Sequence, residues 1–371
     1  MPPQAEGFSA WVRLEQTDGI GPVIARKLLA AFGLPENIFA ASFSALSKHV
    51  PERIAQALIA APSESLQALI ERTHNWCEQS GNFLLTLADH NYPASLLDIP
   101  DPPLLLYAKG RVELLSAPAL AVVGSRNASA QGSANAENFS KALSRAGLTI
   151  VSGMALGIDT AAHRGGLQGA GSTIAVIGTG ADIVYPARNR TLAHQIADNG
   201  CIVSEYPLGM PAIAANFPRR NRLISGLARG VLVVEAAAQS GSLITARLGA
   251  DQGKEVFAIP GSIHSPLSKG CHLLIKQGAK LVESAQDVLE ELRLSPKTEG
   301  AETPNRLPSA SLHNPQQAFL LDAIGFDAVD ADALGERIGL DAATLNAQLL
   351  TLELDGAVER LPDGKYRRLT K

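Results

Sequence analysis

Long apolar runs, cysteines and excess charge are all scarce in this chain of 371 residues. No apolar run approaches the roughly 18 residues that a membrane-spanning helix needs. The N-terminal residues lack a basic segment followed by an apolar one, which argues against a secretory signal peptide. The sequence therefore predicts a cytoplasmic protein that does not act in a membrane.

The chain has three cysteines, Cys77, Cys201 and Cys271. They are odd in number and far apart, and they lack the short spacings that zinc ligands show. This pattern argues against both a disulfide framework and a cysteine-based metal site. We predict reduced, structural thiols and no bound metal.

Net charge is also small, at −4 for the whole chain. Residues 119–290 hold 15 basic and 11 acidic residues, whereas the segments on either side are acidic. An excess of this size does not attract polyanions by bulk charge. Any anionic partner therefore needs a focused patch of basic residues in the middle segment.

The middle segment alternates between strand-like and helix-like runs. Short apolar runs without polar alternation indicate strands that are buried on both faces. Strand–helix alternation predicts an α/β fold with a Rossmann-like, doubly wound and mostly parallel sheet. The predicted strands are 119–124, 148–153, 172–178, 201–205, 230–236, 255–261 and 279–282.

Residues 1–81 predict a helical domain. Within it, "TDGIGPVIARKLLAAFG" at residues 17–33 matches a helix-hairpin-helix or SAM-like element. The glycine-rich turn of such an element exposes backbone N–H groups to a DNA phosphate, and Arg26 and Lys27 are placed to assist. The same pattern fits a turn that only packs two helices, and the acidic surroundings leave both interpretations open.

Residues 82–294 form the predicted Rossmann-like DNA-binding domain, which opens with two short strands at a sheet edge. Residues 295–314 are polar and rich in proline, which predicts a flexible linker. Residues 315–371 show three helical patterns and then two strands around Pro-Asp-Gly, which predicts a winged helix. Its third helix has no Lys or Arg, so we do not expect that helix to read duplex DNA.

Ligands of doubly wound sheets bind outside the carboxyl ends of the strands. Most loops at that rim place glycine and serine at a helix start, where free N–H groups and the helix dipole attract anions. Arg126 and the cluster of Arg219, Arg220 and Arg222 in "NFPRRNR" lie on the same rim, beside Phe217, on which a base can stack. Each loop alone fits an ordinary helix cap, and the arginines alone fit a solvated helix start. Their concentration on one rim favours an anion site.

The loop after the first of these strands reads "GSRNAS" and lacks the G-x-G-x-x-G pattern of dinucleotide sites. A P-loop is also missing, so we predict no bound NAD or ATP and no other cofactor. Asp159 and His163 are spaced to form a catalytic dyad on a helix, although a capping aspartate beside a packed histidine is the preferred interpretation. Glu205 and Glu235 end strands at the rim, where carboxylates either act in catalysis or orient arginines.

The segments "GSRNASAQG", "SGMALGIDTAAHRGGL", "FPRRNR" and "QSGSLITA" closely resemble the DprA/Smf family of bacterial DNA-processing proteins. The resemblance covers residues 110–290. It implies a protein that binds single-stranded DNA and is not an enzyme. It also implies protection of incoming strands in natural transformation, help in loading RecA recombinase, and a homodimer.

The resemblance also implies roles for individual residues. Arg126 would grip a DNA phosphate, Phe217 and the neighbouring arginines would line the same pocket, and residues 240–242 would supply the helix-terminus cap. Some relatives carry a lysine just before the phenylalanine motif, where this chain has Ala214 and Ala215. The predicted DNA-binding residues are Gly124, Ser125, Arg126, Ser152, Gly153, Gly157, Phe217, Arg219, Arg220, Asn221, Arg222, Ser240, Gly241 and Ser242.

Two other functions fit parts of the pattern. A phosphoribohydrolase acting on nucleoside monophosphates can use a related scaffold. Such enzymes carry a P-G-G-x-G-T pattern, which this chain lacks. A transcription factor that binds duplex DNA through the winged helix conflicts with the acidic third helix. Consumption of a nucleoside monophosphate would favour the first alternative, and a duplex footprint that survives deletion of residues 1–300 would favour the second.

Overall fold

The computed structural model describes residues 7–294, 315–325, 328–361 and 363–369. The predicted linker, residues 295–314, lies outside the described residues. Within residues 7–81, six helices precede the first strand: α1 (Phe8–Glu15), α2 (Pro22–Phe32), α3 (Pro35–Ala40), α4 (Phe43–Leu46), α5 (Glu52–Ile59) and α6 (Glu64–Cys77). None of the helices in the described ranges combines the length and apolar character needed to cross a bilayer.

Among the described residues, nine strands then form one sheet. They are β1 (Asn82–Thr86), β2 (Leu105–Gly110), β3 (Ala119–Val123), β4 (Thr149–Ser152), β5 (Thr173–Val176), β6 (Cys201–Ser204), β7 (Gly230–Val233), β8 (Glu255–Ala258) and β9 (Lys280–Leu281). Their order across the sheet is β1-β2-β6-β5-β4-β3-β7-β8-β9. The strands from β3 to β9 run parallel to one another, and β2 is antiparallel to both β1 and β6. This confirms the predicted mostly parallel sheet and the two short strands, β1 and β2, at one side of it.

Helices cover both faces of the sheet. The helices between and after the strands are α7 (Ala94–Leu97), α8 (Ala130–Arg145), α9 (Ile158–Gly166), α10 (Arg190–Asn199), α11 (Asn216–Leu227), α12 (Ser242–Asp251), α13 (Lys269–Lys276) and α14 (Ala285–Glu291). Leu120 and Val122 of β3 pack with α8, α9 and α14, whereas Ala121 and Val123 pack with α11, α12 and α13. Successive strand residues point to opposite faces, so a strand covered on both sides is apolar throughout.

The N-terminal helices share an apolar core with the antiparallel edge of the sheet. Trp11 of α1 and Trp76 of α6 lie in one buried cluster with Leu105 and Tyr107 of β2. The rings of Trp76 and Tyr107 meet edge to face, with centroids 5.9 Å apart. The helices therefore cover one face of this edge, and the predicted domain division after residue 81 stays a prediction.

The last described elements are α15 (Pro315–Ile324), α16 (Ala331–Ile338), α17 (Ala342–Leu354), β10 (Val358–Arg360) and β11 (Tyr366–Arg368). The two strands pair antiparallel, and Leu320, Leu334 and Leu349 contribute to a common core. Three helices followed by a hairpin give the predicted winged helix. The third helix, α17, contains no basic residue.

Candidate nucleic-acid interface

A groove of about 660 Å³ lies at the carboxyl ends of the parallel strands. The strand order reverses beside β3, since β4, β5 and β6 lie on one side of it and β7, β8 and β9 on the other. Crevices in doubly wound sheets open at this reversal point. Of the predicted residues, the groove is lined by Gly124, Ser125, Arg126, Phe217, Arg220, Asn221, Ser240, Gly241 and Ser242.

The loop after β3 presents Arg126 to the groove. The backbone N–H of Ser125 donates to the carbonyl of Glu235 at 2.7 Å, and the Ser125 carbonyl accepts from the Ile158 N–H at 3.1 Å. These bonds tie the loop to the chain segments that follow β7 and β4. Arg126 itself is exposed, so a loop that is fixed at its base carries a guanidinium that is free to meet solvent or a ligand.

Glu235 caps the helix that follows this loop. Its carboxylate accepts from the backbone N–H of Ser129 at 2.9 Å and from the Ser129 hydroxyl at 2.6 Å. Ser129 is the N-cap residue of α8 and accepts from the Gly132 N–H. Glu235 therefore holds the loop that carries Arg126 in place. This agrees with one of the two roles considered for Glu235 from the sequence, that of orienting arginines.

Arg220 forms part of the groove wall although it is only 4% exposed. Its guanidinium donates through Nη1 to the carbonyl of Val176, while Nε has no hydrogen-bond partner among the described residues. Burial lowers the pKa of Arg220 to about 10, against the opposing effect of Asp159. The side chain remains protonated at neutral pH, so the groove contains a buried cation with unused hydrogen-bonding capacity.

The loop after β4 supports the groove from behind. A Cβ at Gly153 would lie 2.1 Å from Nη1 of Arg220, so the guanidinium needs glycine there. Gly157 has a φ of +76°, and a Cβ there would lie 2.3 Å from the Ser125 carbonyl oxygen. The Ser152 hydroxyl donates to the Val122 carbonyl at 2.7 Å. None of the predicted residues in this loop lines the groove, so the structure gives them a supporting position.

The N-terminus of α12 closes another side of the groove. Gly241 is its N-cap residue and has no side-chain capping bond. The Ser240 and Ser242 hydroxyls lie 2.7 Å apart and bond to each other. A helix start with a positive dipole end, facing the groove beside two hydroxyl groups, is suited to an anionic ligand.

Phe217 and Asn221 project from successive turns of α11 into the groove. The Phe217 ring lies beside Tyr185, with centroids 5.5 Å apart. The sequence patterns did not single out Tyr185. Its only local signal is an aromatic residue on a loop at the strand ends.

Arg219 and Arg222 do not line this groove, which corrects the prediction that all three arginines share one pocket. Arg222 is buried and bonds to both oxygens of Glu205 at 2.8 and 2.7 Å, and its Nε donates to Asp101 at 2.7 Å. Helix geometry explains the separation, because residues one and two positions apart point to different sides of a helix.

Arg219 lies in a separate, smaller cavity of about 260 Å³. This cavity is also lined by Glu15 at the end of α1 and by Gly21 and Pro22 at the start of α2. The predicted helix-hairpin-helix turn is thus at the junction between the N-terminal helices and the sheet. Arg26 on α2 donates to the carbonyl of Pro100 at 3.3 Å. A phosphate contact by this turn stays a prediction.

Asp159 and His163 do not form a dyad. Asp159 accepts from the N–H groups of Gly153 and Ala155, and His163 Nδ1 bonds to the Thr173 hydroxyl at 2.7 Å. Burial, with a smaller effect of Arg220, lowers the pKa of His163 to about 3. Burial also raises the pKa of Asp159. A capping aspartate and a packed neutral histidine account for both side chains.

Metal ligands do not cluster in the parts of the chain that the structure describes, since they contain no group of three or more His, Cys, Asp or Glu that could hold an ion. The groove offers arginines, hydroxyl groups and a helix N-terminus instead. These groups bind anions through charge and hydrogen bonds, without a metal bridge.

Two family models match separate parts of the chain. The family model described as DNA recombination-mediator protein A matches residues 83–293. The chain belongs to this family. A second family model, the DprA winged helix domain, matches residues 302–364, which confirms the winged helix.

Protein Smf of Escherichia coli strain K12 is 42% identical over 323 residues, which cover 85% of this chain and 84% of the relative. DNA processing protein DprA of Streptococcus pneumoniae strain R6 is 52% identical over 206 residues, 56% of this chain and 73% of the relative. The resemblance found in the sequence is confirmed.

Two solved structures of the family share the fold. The X-ray structure of DprA from Streptococcus pneumoniae has a TM-score of 0.66 at 40% identity and covers 76% of this chain and 97% of that one. DNA processing protein A from Helicobacter pylori, for which a single-stranded DNA binding mode is described, has a TM-score of 0.52 at 31% identity. That likeness covers 57% of this chain and 95% of the Helicobacter chain.

Proposed function

We propose that the groove binds single-stranded DNA through its phosphates. The observation that carries the proposal is the meeting of a buried cation, Arg220, an exposed cation, Arg126, and the N-terminus of α12 around one opening. The single-stranded DNA binding mode described for the Helicobacter pylori relative supports it. A groove of this size suits a few nucleotides per protomer, so longer strands require several protomers.

We further propose that the protein uses this site as a recombination mediator in the cytoplasm. It protects strands that enter during natural transformation and helps to load RecA recombinase onto them, and it acts as a homodimer. The family description, DNA recombination-mediator protein A, supports this role. We propose no catalytic step, because Asp159 and His163 are each engaged in other bonds.

Binding of labelled oligo-dT and of a duplex, followed by fluorescence anisotropy over a salt series, tests the proposal. We expect tight binding of the single strand, with an affinity that falls with salt by a logarithmic slope of about −0.7 per contacted phosphate. Arg126→Ala should weaken binding about 10- to 100-fold, since it removes a charged hydrogen bond, and should make the salt slope shallower.

Arg145→Ala is the matched control. It removes the same charge, but Arg145 ends α8. Arg145 therefore lies near the amino ends of the parallel strands, away from the groove at their carboxyl ends. We expect wild-type binding from this variant. Equal affinity for duplex and single strand, or an Arg126→Ala protein that binds like wild type, would contradict the proposal. Consumption of a nucleoside monophosphate would contradict the non-enzymatic role.

The mediator role needs a separate assay. RecA ATPase activity on single strands that are coated with single-strand-binding protein should rise when this protein is added. Arg126→Ala should fail to give that rise at the same concentration. If wild-type protein does not shorten the lag before RecA ATPase activity begins, the loading role is wrong. The proposal that the groove binds single-stranded DNA would still stand.

A further inference from the structure

Two aromatic rings occupy the groove, and they are unequally available to a ligand. The Phe217 ring packs on the backbone of Gly178, where an added Cβ would lie 3.1 Å from Phe217 Cδ1. It also lies beside Tyr185, whose ring is tilted by 39° at a centroid distance of 5.5 Å. Phe217 is half-buried, whereas Tyr185 is 50% exposed. The ring that faces the opening is therefore that of Tyr185.

The loop that carries Tyr185 is fixed on both sides of the ring. Before it, the Thr179 hydroxyl donates to the carbonyl of Ile183 at 3.0 Å. After it, the side-chain amide of Asn189 donates to the carbonyl of Met154 at 2.9 Å. A loop anchored in this way loses little conformational entropy when a ligand arrives. An exposed aromatic ring on a fixed loop is a pre-organised contact surface.

The neighbours of this ring indicate what it contacts. Arg126 and Arg220 line the same groove and supply positive charge, and a ligand that pairs phosphates with flat aromatic groups satisfies both features. Nucleobases stack on aromatic side chains in proteins that bind single strands without sequence preference. We propose that Tyr185 is the residue on which a base of the bound strand stacks, and that Phe217 backs its ring. This inference rests on the proposed binding of single-stranded DNA.

Removal of the ring should cost about 5- to 100-fold in affinity, the range found for single base–aromatic stacks. Tyr185→Leu keeps an apolar cover over Phe217 but offers no flat ring, and Tyr185→Phe keeps the ring without the hydroxyl. Because Tyr185 lies on an exposed loop, both variants should melt like wild type. The pair therefore separates stacking from simple coverage of Phe217.

The decisive comparison uses oligo-dT and an abasic oligonucleotide of the same length. Wild type and Tyr185→Phe should prefer oligo-dT, and Tyr185→Leu should lose most of that preference. Arg126→Ala should weaken both ligands by the same factor, because it acts on phosphates. If Tyr185→Leu retains the full preference while Arg126→Ala weakens both ligands, the stacking role is wrong and the groove proposal stands. If Arg126→Ala binds both ligands like wild type, both proposals are wrong.

Photocrosslinking gives a second readout. An oligonucleotide that contains 5-iodouracil should crosslink to the peptide that contains Tyr185. Crosslinking to the peptide that contains Phe217, with none to Tyr185, would overturn the assignment.

Discussion

Arg222 is an arginine whose two carboxylate partners keep it out of the binding groove. Its side chain is 7% exposed and that of Glu205 is 5% exposed, so both ions are desolvated. Although burial acts to lower it, the pKa of Arg222 is raised by Glu205 and Asp101. Such a pair contributes little net stability when intact, but the loss of one member leaves a buried charge without a partner.

Arg222→Met should therefore lower the free energy of unfolding by about 3–5 kcal/mol. Urea denaturation followed by circular dichroism measures this change. Arg219→Met is the matched control, since it lies on the same helix but is exposed and should cost less than about 0.5 kcal/mol. Equal denaturation midpoints for the two variants would refute the assignment of Arg222 to the core.

His163 should make stability depend on pH. Its pKa is about 3 in the fold, below the ordinary value of 6.5. Between these pH values the unfolded chain binds a proton that the folded chain does not, so acidification favours unfolding. The expected loss from this residue is about 1.4 kcal/mol per pH unit below 6.5.

His163→Leu removes this titration. Its free energy of unfolding should fall less steeply between pH 6.5 and 5 than that of wild type, whatever its absolute stability at pH 7. Urea denaturation at several pH values measures the two slopes. Parallel slopes would show that the histidine does not bind a proton on unfolding in this range.

At the scale of elements, α11 distributes its arginines to three places. Arg219 faces the junction cavity, Arg220 faces the groove and Arg222 faces the core. The sequence predicted the helix and its position at the rim. It did not predict the separate destinations, because the partners Glu205 and Asp101 are 17 and 121 residues away in the chain. A local charge pattern carries no information about contacts of that range.

The turn between β4 and α9 is a second element on which the groove depends. In the Gly157→Ala variant, the new Cβ would overlap the Ser125 carbonyl, and residue 157 would have to keep a positive φ. We expect displacement of the arginine loop and a marked loss of affinity for oligo-dT. Gly147→Ala is the control, because its φ is +93° but nothing lies within 4 Å of its Cβ position. If both variants bind oligo-dT equally, the close approach of Gly157 to the Ser125 carbonyl does not control DNA binding.

Strand positions were the most predictable feature of the fold. Strands covered on both faces are continuous apolar runs, and the predicted ranges of β3 to β9 match the structure within a few residues at each end. The role of Tyr185 was not predicted, since it depends on the distance of the residue from Phe217 and on the exposure of its ring. Neither quantity can be derived from the sequence of a loop.

At the scale of the whole molecule, the winged helix does not share the charge of the groove. Residues 315–371 hold 6 basic and 10 acidic residues. On its hairpin, Arg367 donates to Glu359 at 2.9 Å and Arg368 donates to Asp322 at 3.0 Å. Part of the positive charge on the wing is therefore already paired within the fold.

A chain that ends at residue 294 should bind oligo-dT as tightly as the full chain, or slightly more tightly at low salt. Removal of a net acidic segment reduces repulsion of the phosphates, and that difference should disappear as salt screens it. Anisotropy titrations at two salt concentrations check this. A large loss of affinity on truncation would place essential DNA contacts in the winged helix.

The antiparallel edge of the sheet has a consequence for the order in which the protein folds. β2 pairs with β6, which lies roughly 90 to 100 residues further along the chain. At a synthesis rate of about 5–20 residues per second, β2 leaves the ribosome about 5–20 s before its partner. The helices that share a core with β1 and β2 are complete by then. We therefore expect these helices to fold first with β1 and β2 and to cover one face of the unfinished sheet while the rest of the chain is made.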